Sequence, residues 1–218
     1  SVFYEVYPQS FRDSNGDGIG DIPGITEKLE YIQELGCNAL WINPCFTSPF
    51  YDAGYDVEDY YSVAPRYGTN EDLKKLFEAA HQRGMHVLLD LVPGHTAVTH
   101  PWFQESMKAE KNEYTDRYVW TDSLYKRMED VKGIVSVLRG ISPRPASCGV
   151  NCFSTQPALN YGFANITDAG WQQPTDAPGP MATREELKNI MRFWLTLGCD
   201  GFRVDMAGSL VKNDEDKK

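Results

Sequence analysis

Thr69-Asn70-Glu71-Asp72-Leu73-Lys74-Lys75-Leu76-Phe77-Glu78-Ala79-Ala80-His81-Gln82-Arg83-Gly84-Met85-His86-Val87-Leu88-Leu89-Asp90-Leu91-Val92 is the stretch whose reading decides the fold. Thr69 with Asp72 three residues on forms an approximate capping box, a helix start signal. Leu73, Leu76, Phe77 and Ala80 recur at helical spacing and make one apolar face. Gly84 stops the helix, because glycine alone enters the left-handed backbone region at little cost. The nearly unbroken apolar run His86–Val92 then reads as a strand buried on both faces, as in a parallel sheet covered by helices.

The same unit occurs twice more. Ile25, Leu29, Ile32 and Leu35 line a predicted helix over residues 25–35, Gly36 stops it, and Ala39-Leu40-Trp41-Ile42-Asn43 follows as a strand. A third helix is predicted to open at Thr183, with Glu186 three residues on and Leu187, Ile190, Met191, Trp194 and Leu195 along it. Gly198 ends it and Gly201-Phe202-Arg203-Val204-Asp205 follows. With Val2–Tyr7 as the opening strand, the chain reads as α/β, with four parallel strands joined by crossover helices. A barrel and a doubly wound sheet both satisfy this pattern, but the Gly-rich turn of a nucleotide site is absent.

The stop glycines measure an insertion. Gly36 and Gly84 lie 48 residues apart, whereas Gly84 and Gly198 lie 114 apart. The excess falls after the third strand, in a proline-rich, polar stretch of weak periodicity that reads as a small loop-rich subdomain. The expected organisation is residues 1–95 for the first three strands, 96–180 for the insertion, and 181–218 for the third helix, the fourth strand and the start of a fourth helix.

Composition narrows the function. A net charge of −10 over 218 residues argues against nucleic acid and anionic membranes as partners and is compatible with a neutral substrate such as a sugar. The 12 Tyr and 5 Trp suit stacking on sugar rings, although any one of them reads first as core packing. No apolar run is long enough to span a membrane. Cys37, Cys45 and Cys199 sit in or beside strand-like runs and read as buried thiols. Cys148 and Cys152 have no second pair to complete a zinc site, and a local bridge between them stays open. A reducing, cytoplasmic location is favoured over secretion.

Two groups of residues carry chemistry. Asp13-Ser14-Asn15-Gly16-Asp17-Gly18-Ile19-Gly20-Asp21 alternates oxygen-bearing side chains around glycines, as a hard cation such as Ca²⁺ requires. It starts like an EF-hand loop, but Gly24 stands where that loop ends in Glu, so the alternatives are a cation loop outside an EF-hand and a metal-free Asx-rich turn. The second group sits where the strands end: Asn43, Asp90, His95 and Asp205, with Arg203 two residues before Asp205. Parallel α/β folds build their sites at that edge. An Arg beside an Asp keeps the carboxylate ionised, which suits a nucleophile and equally suits a structural ion pair.

Six motifs follow one another along nearly the whole chain: Tyr4-Glu5-Val6-Tyr7-Pro8-Gln9-Ser10-Phe11, Gly36-Cys37-Asn38-Ala39-Leu40-Trp41-Ile42-Asn43-Pro44, Tyr55-Asp56-Val57-Glu58-Asp59-Tyr60, Asp90-Leu91-Val92-Pro93-Gly94-His95, Gln156-Pro157-Ala158-Leu159-Asn160 and Gly201-Phe202-Arg203-Val204-Asp205. Taken together, and in this order, they resemble those of the α-amylase family of glycoside hydrolases. The resemblance implies the first half of a (β/α)8 barrel with the family's domain B inserted after the third strand. It implies a retaining mechanism in which Asp205 is the nucleophile, Arg203 orients it and Asp90 supports Arg203. His95 would bind the sugar in the reacting subsite, Tyr55 would stack under it, and Asp52 would grip a terminal glucose. The resemblance is to oligo-1,6-glucosidase, α-glucosidase and trehalose-synthase-like members, which His100-Pro101-Trp102-Phe103 also resembles. In those members the first loop binds Ca²⁺, or alternatively Mg²⁺, here through Asp13, Asn15, Asp17, Asp21 and the Ile19 carbonyl.

The implied activity is hydrolysis of α-glucosidic bonds in short oligosaccharides. A transglycosylating isomerase and a non-catalytic amylase-like subunit are the alternatives. Gly94 replaces the Asn common before that His, so the calcium site many amylases build there is not expected, and Ala158 replaces a common Asp. The family's acid/base Glu follows its fifth strand, beyond Lys218, so residues 1–218 are expected to be a catalytically incomplete fragment. A half barrel with an unpaired strand edge is expected to self-associate.

Overall fold

A computed structural model describes residues 1–215. The last residues of the predicted start of a fourth helix, 216–218, lie outside the described residues. The chain divides into two compact units.

The first unit comprises residues 1–48, 59–91 and 190–204. Its sheet contains β1 (Phe3–Val6), β2 (Ala39–Ile42), β5 (His86–Leu91) and β8 (Gly201–Val204), in the order β1-β2-β5-β8. Every pairing is parallel, with Val6 opposite Ile42, Ile42 opposite Leu89, and Asp90 opposite Arg203. This is the α/β arrangement read from the repeated helix-glycine-strand unit. A short antiparallel pair, β3 (Phe46–Thr47) and β4 (Asp59–Val63), leads from the second strand toward α4 (Asn70–Gln82). Leu40, Ile42, Val87 and Leu89 are fully buried, and Leu73, Leu76, Phe77 and Ala80 of α4 join them in the core. Burial of each such side chain contributes roughly 1.5–3 kcal/mol.

Local rules account for the helix ends. Thr69 Oγ1 accepts the Asp72 amide at 3.1 Å while the Asp72 carboxylate accepts the Thr69 amide at 3.0 Å, completing the capping box. Gly84 (φ 70°) and Gly198 (φ 117°) both terminate their helices in the left-handed region. Gly198 also lies against Phe77, where a Cβ would stand 3.3 Å from the Phe77 Cβ.

Two predicted helices differ in detail. The helix expected over residues 25–35 is two short helices after α1 (Pro8–Phe11): α2 (Ile22–Glu27) and α3 (Leu29–Glu34). Asp21 caps α2 by accepting the Gly24 amide at 2.7 Å, so the helix starts earlier than its apolar spacing suggests. Lys28 leaves helical geometry (φ −103°, ψ 7°) and gives its amide to Ile25 O at 3.0 Å. Ile25, Leu29 and Ile32 of the predicted face are nonetheless buried, with Ile22 beside them, because the apolar face carries across the break; Leu35, predicted on the same face, is instead exposed at the end of α3. The helix predicted to open at Thr183 is α6 (Pro178–Leu197). Thr183 is not its cap: its hydroxyl donates back to Gly179 O at 3.1 Å, inside the first turns.

The second unit comprises residues 49–58, 92–189 and 205–218. It holds α5 (Pro101–Ser106), residues 178–189 of α6, and an antiparallel ribbon of β6 (Ser136–Leu138) and β7 (Cys148–Val150). Otherwise it is irregular and packs around two small cores. Phe103, Tyr118, Trp120, Cys148, Leu159 and Tyr161 form one, and Val119, Met128, Ile134, Ala158 and Phe163 the other. The local Cys148–Cys152 bridge left open by the sequence is absent, since all five cysteines are free thiols. Burial pushes the Cys45 thiol up to about 12 and the Cys199 thiol to about 11, which leaves both unreactive.

At the other end of the strands, Asp200 ties three elements of the first unit together. Its carboxylate accepts the Val87 amide at 2.8 Å and contacts His81 Nε2 at 2.8 Å and His86 Nδ1 at 3.2 Å. Burial alone would raise this carboxyl, but the amide and the two imidazoles outweigh it and hold it below the usual carboxylate range. A lowered carboxyl contributes stability that is present above its ordinary pKa and is lost as pH falls through the lowered one. Asp200→Asn is therefore expected to lower the melting temperature at pH 7 by several degrees, for about 1–2 kcal/mol of charge-assisted hydrogen bonding. The gap from wild type should close toward pH 3. Thermal melts at the two pH values check this, and an equal gap at both would contradict it.

Candidate active site

The residues at the C-terminal strand ends fall into two groups, one in each unit. In the first unit, Asp90 at the end of β5 is buried to 1% exposure. Arg203 Nη1 donates to its two oxygens at 3.0 and 3.3 Å, and Trp41 Nε1 donates to Oδ2 at 2.9 Å. The pairing follows from the parallel register, which sets Asp90 directly opposite Arg203. The guanidinium also lies over the Trp41 ring, 4.9 Å from its centre. Arg203 is thus fixed from two sides. Trp41 escaped the sequence reading as a functional residue, because a Trp in an apolar strand reads as core. Its signal is its place one residue before the strand end, within the Trp41-Ile42-Asn43 segment.

In the second unit, loop 49–58 is shaped by Asp56, which is completely buried and accepts the Tyr51 and Asp52 amides at 2.8 and 3.1 Å. That bonding holds Phe50 (φ 60°) and Ala53 (φ 53°) in the left-handed region. Tyr55 closes the turn by giving its amide to Asp52 O at 2.8 Å. Asp52 Oδ2 accepts Gln156 Nε2 at 2.6 Å. His95 is buried between two acceptors, with Nδ1 2.9 Å from Asn151 Oδ1 and Nε2 2.9 Å from Tyr55 O. The Asn151 amide is oriented by Nδ2, which donates to Ser209 Oγ at 3.0 Å and to Gly133 O at 3.3 Å. Both ring nitrogens thus face oxygen acceptors.

Asn151 was not singled out in the sequence, and no motif marks it. Its space comes from Gly94, where a Cβ would stand 2.4 Å from Asn151 Oδ1. Gly94, one of the two positions at which the motifs depart from the pattern they resemble, thus makes room for the His95 partner. Asp205 follows the end of β8 and opens a tight turn through Met206 (φ 47°) into a 3-10 turn at Ala207–Ser209. The strand ends at Val204, one residue earlier than the motif suggests.

Electrostatics joins the second group. Burial raises the Asp52 carboxyl above its ordinary value, the Gln156 bond opposes this, Asp56 and Asp205 raise it further, and His95 lowers it. Cys152 is raised by burial and by Asp52 and Asp205. The structure therefore brings Asp52, Tyr55, His95 and Asp205 into one neighbourhood of the second unit, and Asp90 and Arg203 into one of the first.

The Asp13–Asp21 loop belongs to the first unit. Asp13 accepts the Asn15, Gly16 and Gly18 amides at 3.1, 2.7 and 2.8 Å. The Gly18 and Gly16 amides lead in holding its carboxyl below the usual range. Asp17 accepts the Ile19 amide at 2.8 Å, while Asp21 caps α2 and accepts the Ser14 hydroxyl at 2.9 Å. Among the described residues no three His, Cys, Asp or Glu side chains form a metal cage by themselves. The predicted set is all oxygen, exposed around Asp13 and Asp17, and completed by an amide and a carbonyl. Its donor chemistry fits a hard cation.

Four parallel strands with carboxylates at their C-terminal edge and an inserted unit are the N-terminal part of an α/β-barrel catalytic domain. Residues 5–218 match the alpha amylase catalytic domain, and the chain belongs to that family. It is 38% identical to an oligo-1,6-glucosidase of a Bacillus species, over 97% of this chain and 39% of that protein. It is 41% identical to the trehalose synthase/amylase of Mycolicibacterium smegmatis, over 98% of this chain and 34% of that protein. Among solved structures it is similar to an isomaltulose synthase mutant from Erwinia rhapontici in complex with its natural substrate sucrose. That likeness has a TM-score of 0.78 and 35% identity, over 96% of this chain and 35% of that one. The chain thus spans between a third and two fifths of these relatives' length. No helix among the described residues is long and apolar enough to cross a membrane.

A raised carboxyl contributes stability that is fully present below its ordinary pKa, about 4, and is lost as pH rises through the raised one. Ionised Asp52 therefore costs the fold stability at neutral pH. Asp52→Asn keeps an acceptor for Gln156 and is expected to raise the melting temperature at pH 7, with the advantage gone by about pH 4. A variant that melts lower than wild type at both pH values would sink this account.

Proposed function

We propose that the whole protein carrying this chain is a retaining enzyme that transfers the glucosyl group of short α-glucosides, with water as the principal acceptor. The observation that supports this reading best is the convergence of Asp52, His95 and Asp205 in one unit, with Asp52 held by Gln156 at 2.6 Å and His95 fixed at both nitrogens.

The roles come from the family motifs. The Asp205 carboxylate attacks the anomeric carbon as the bond to the leaving oxygen breaks, and a carboxylic acid protonates that oxygen. Water, deprotonated by the same acid/base group, then displaces Asp205. A retaining pair stands roughly 5 Å apart, and we assign the second member to the part of the protein that follows residue 218. Arg203, immobilised by Asp90 and Trp41, is the residue the motif assigns to orienting the nucleophile. His95 and Asp52 bind sugar hydroxyls and Tyr55 stacks against the ring. Five free thiols favour a reducing, cytoplasmic location.

A second reading has specific support. A trehalose synthase/amylase and an isomaltulose synthase are as similar to this chain as the glucosidases are, so an isomerase that returns the glucosyl group to a sugar acceptor uses the same first step. Hydrolysis of 4-nitrophenyl α-glucoside by the whole protein tests the proposal. Asp205→Asn is expected to lower kcat at least about a thousandfold, and to leave no activity above that floor. Loss of less than tenfold would remove Asp205 from the nucleophile's role. Incubation with maltose separates the two readings: glucose as the main product supports hydrolysis, trehalose or another disaccharide the isomerase.

The Asp13–Asp21 loop is proposed to bind Ca²⁺ through Asp13, Asn15, Asp17, Asp21 and the Ile19 carbonyl. Calcium at about 1 mM is expected to raise the melting temperature of the chelator-treated protein by several degrees, since a ligand that binds only the folded state stabilises it. An unchanged melt, or the same shift in an Asp13→Asn/Asp17→Asn variant, would rule the site out.

A further inference from the structure

Lys212 is completely buried in the second unit, at 0% exposure. Its ammonium group donates to Ser209 O, and among the described residues no carboxylate faces it. Burying a cation without a counter-charge is costly, and folds retain such groups mainly where a site uses them. The burial is built rather than incidental. Gly133 (φ 88°) packs against the lysine stem so closely that a Cβ there would stand 3.0 Å from both Lys212 Cδ and Ser209 O. The Lys212 backbone is pinned as well, its amide on Gly162 O at 2.9 Å and its carbonyl on the Ala164 amide at 2.9 Å.

What Lys212 holds is the turn that carries Asp205. Ser209 is the junction: its carbonyl accepts from Lys212, and its hydroxyl donates to Met206 O at 2.8 Å and accepts Asn151 Nδ2 at 3.0 Å. Asn151 in turn bonds His95 at 2.9 Å, and His95 bonds Tyr55 O at 2.9 Å. One chain of hydrogen bonds, Lys212–Ser209–Asn151–His95–Tyr55, therefore runs from the buried amine, past the turn after Asp205, to the groups assigned to sugar binding.

We propose that Lys212 is a positioning residue for the reaction, setting the turn that presents Asp205 and, through Ser209 and Asn151, the orientation of His95. The inference rests on the roles given to Asp205 and His95 under the proposed function. Burial alone lowers the amine to about 7, so the group changes charge near neutrality. Among the described residues no charged group adds to burial in setting the amine; Lys132, next to Gly133 in the chain, gives its amide to Asn213 Oδ1 at 3.0 Å and pairs its own amine with exposed Glu215 at 2.8 Å. A neutral amine has one lone pair and fewer protons to place, whereas the ammonium group brings three donors to a pocket whose described acceptor is Ser209 O. The two states thus pull differently on the Ser209 carbonyl. The stability that deprotonation allows is present above about 10.5 and is lost as pH falls toward 7.

The test compares the whole protein with its Lys212→Met variant. The variant is expected to melt at or above the wild-type temperature at pH 6. Its kcat on 4-nitrophenyl α-glucoside should nevertheless fall about tenfold or more, with KM within about threefold and the wild-type pH dependence between 6 and 8 flattened. An unchanged kcat and pH profile in a folded variant would overturn the proposal. Should the variant fail to fold, NMR of the wild type decides: the Lys212 Nζ signal should titrate near 7 and the His95 ring signals should show a step at that midpoint. A Lys212 midpoint near 10.5, or His95 signals indifferent to it, would overturn the coupling. Absence of any α-glucoside activity would instead overturn the proposed function, leaving the titration to report on Lys212 by itself.

Discussion

Asp90 is a carboxylate with 1% exposure at the end of a strand, and a buried charge must be answered by its neighbours. Arg203 and Trp41 answer it, at 3.0 and 2.9 Å, and they reach it because three adjacent strands run parallel in one register. This requirement connects the sheet to the chemistry. A one-residue slip of β8 would turn Arg203 to the other face and leave Asp90 unpaired, so the charge pair and the register specify each other. The same contact, with the Trp41 ring under the guanidinium, leaves Arg203 one orientation.

The second unit solves a different problem. It has little regular structure, so its backbone polar groups cannot all be satisfied by ladders, and polar side chains take over. Asp56 shapes the loop around Asp52 and Tyr55, Asn151 orients His95, and Ser209 ties the turn after Asp205 to Asn151. Each tie is also a positional constraint. Residues distant in the chain are thereby held within hydrogen-bond tolerance of one another without a strand or helix to carry them. Strain accompanies this, at Phe50, Ala53 and Met206, all non-glycine residues with positive φ.

Much of this was legible in the sequence. The helix-glycine-strand unit, the Thr69–Asp72 capping box and the parallel strands follow from side-chain period and from glycine's backbone freedom, which are local properties. The helix over residues 25–35 was read less well, because apolar spacing records which face is buried and not whether the axis breaks; Lys28 breaks it while the buried face continues. Thr183 matched a cap pattern but lies inside α6, since a capping motif competes with Pro178, which can start a helix just as well.

The sequence by itself determined the α/β class and the four parallel strands, because periodicity and motif spacing are written along the chain. It could not show that Trp41 fixes Arg203, that Gly94 makes room for Asn151, or that Lys212 lies buried under the Asp205 turn. Those depend on groups that meet across 162 residues of chain for Trp41 and Arg203, 57 for Gly94 and Asn151, and 79 for Gly133 and Lys212. Only tertiary packing brings such groups together, and only the burial it creates turns an ordinary lysine or aspartate into a charge whose neighbours matter.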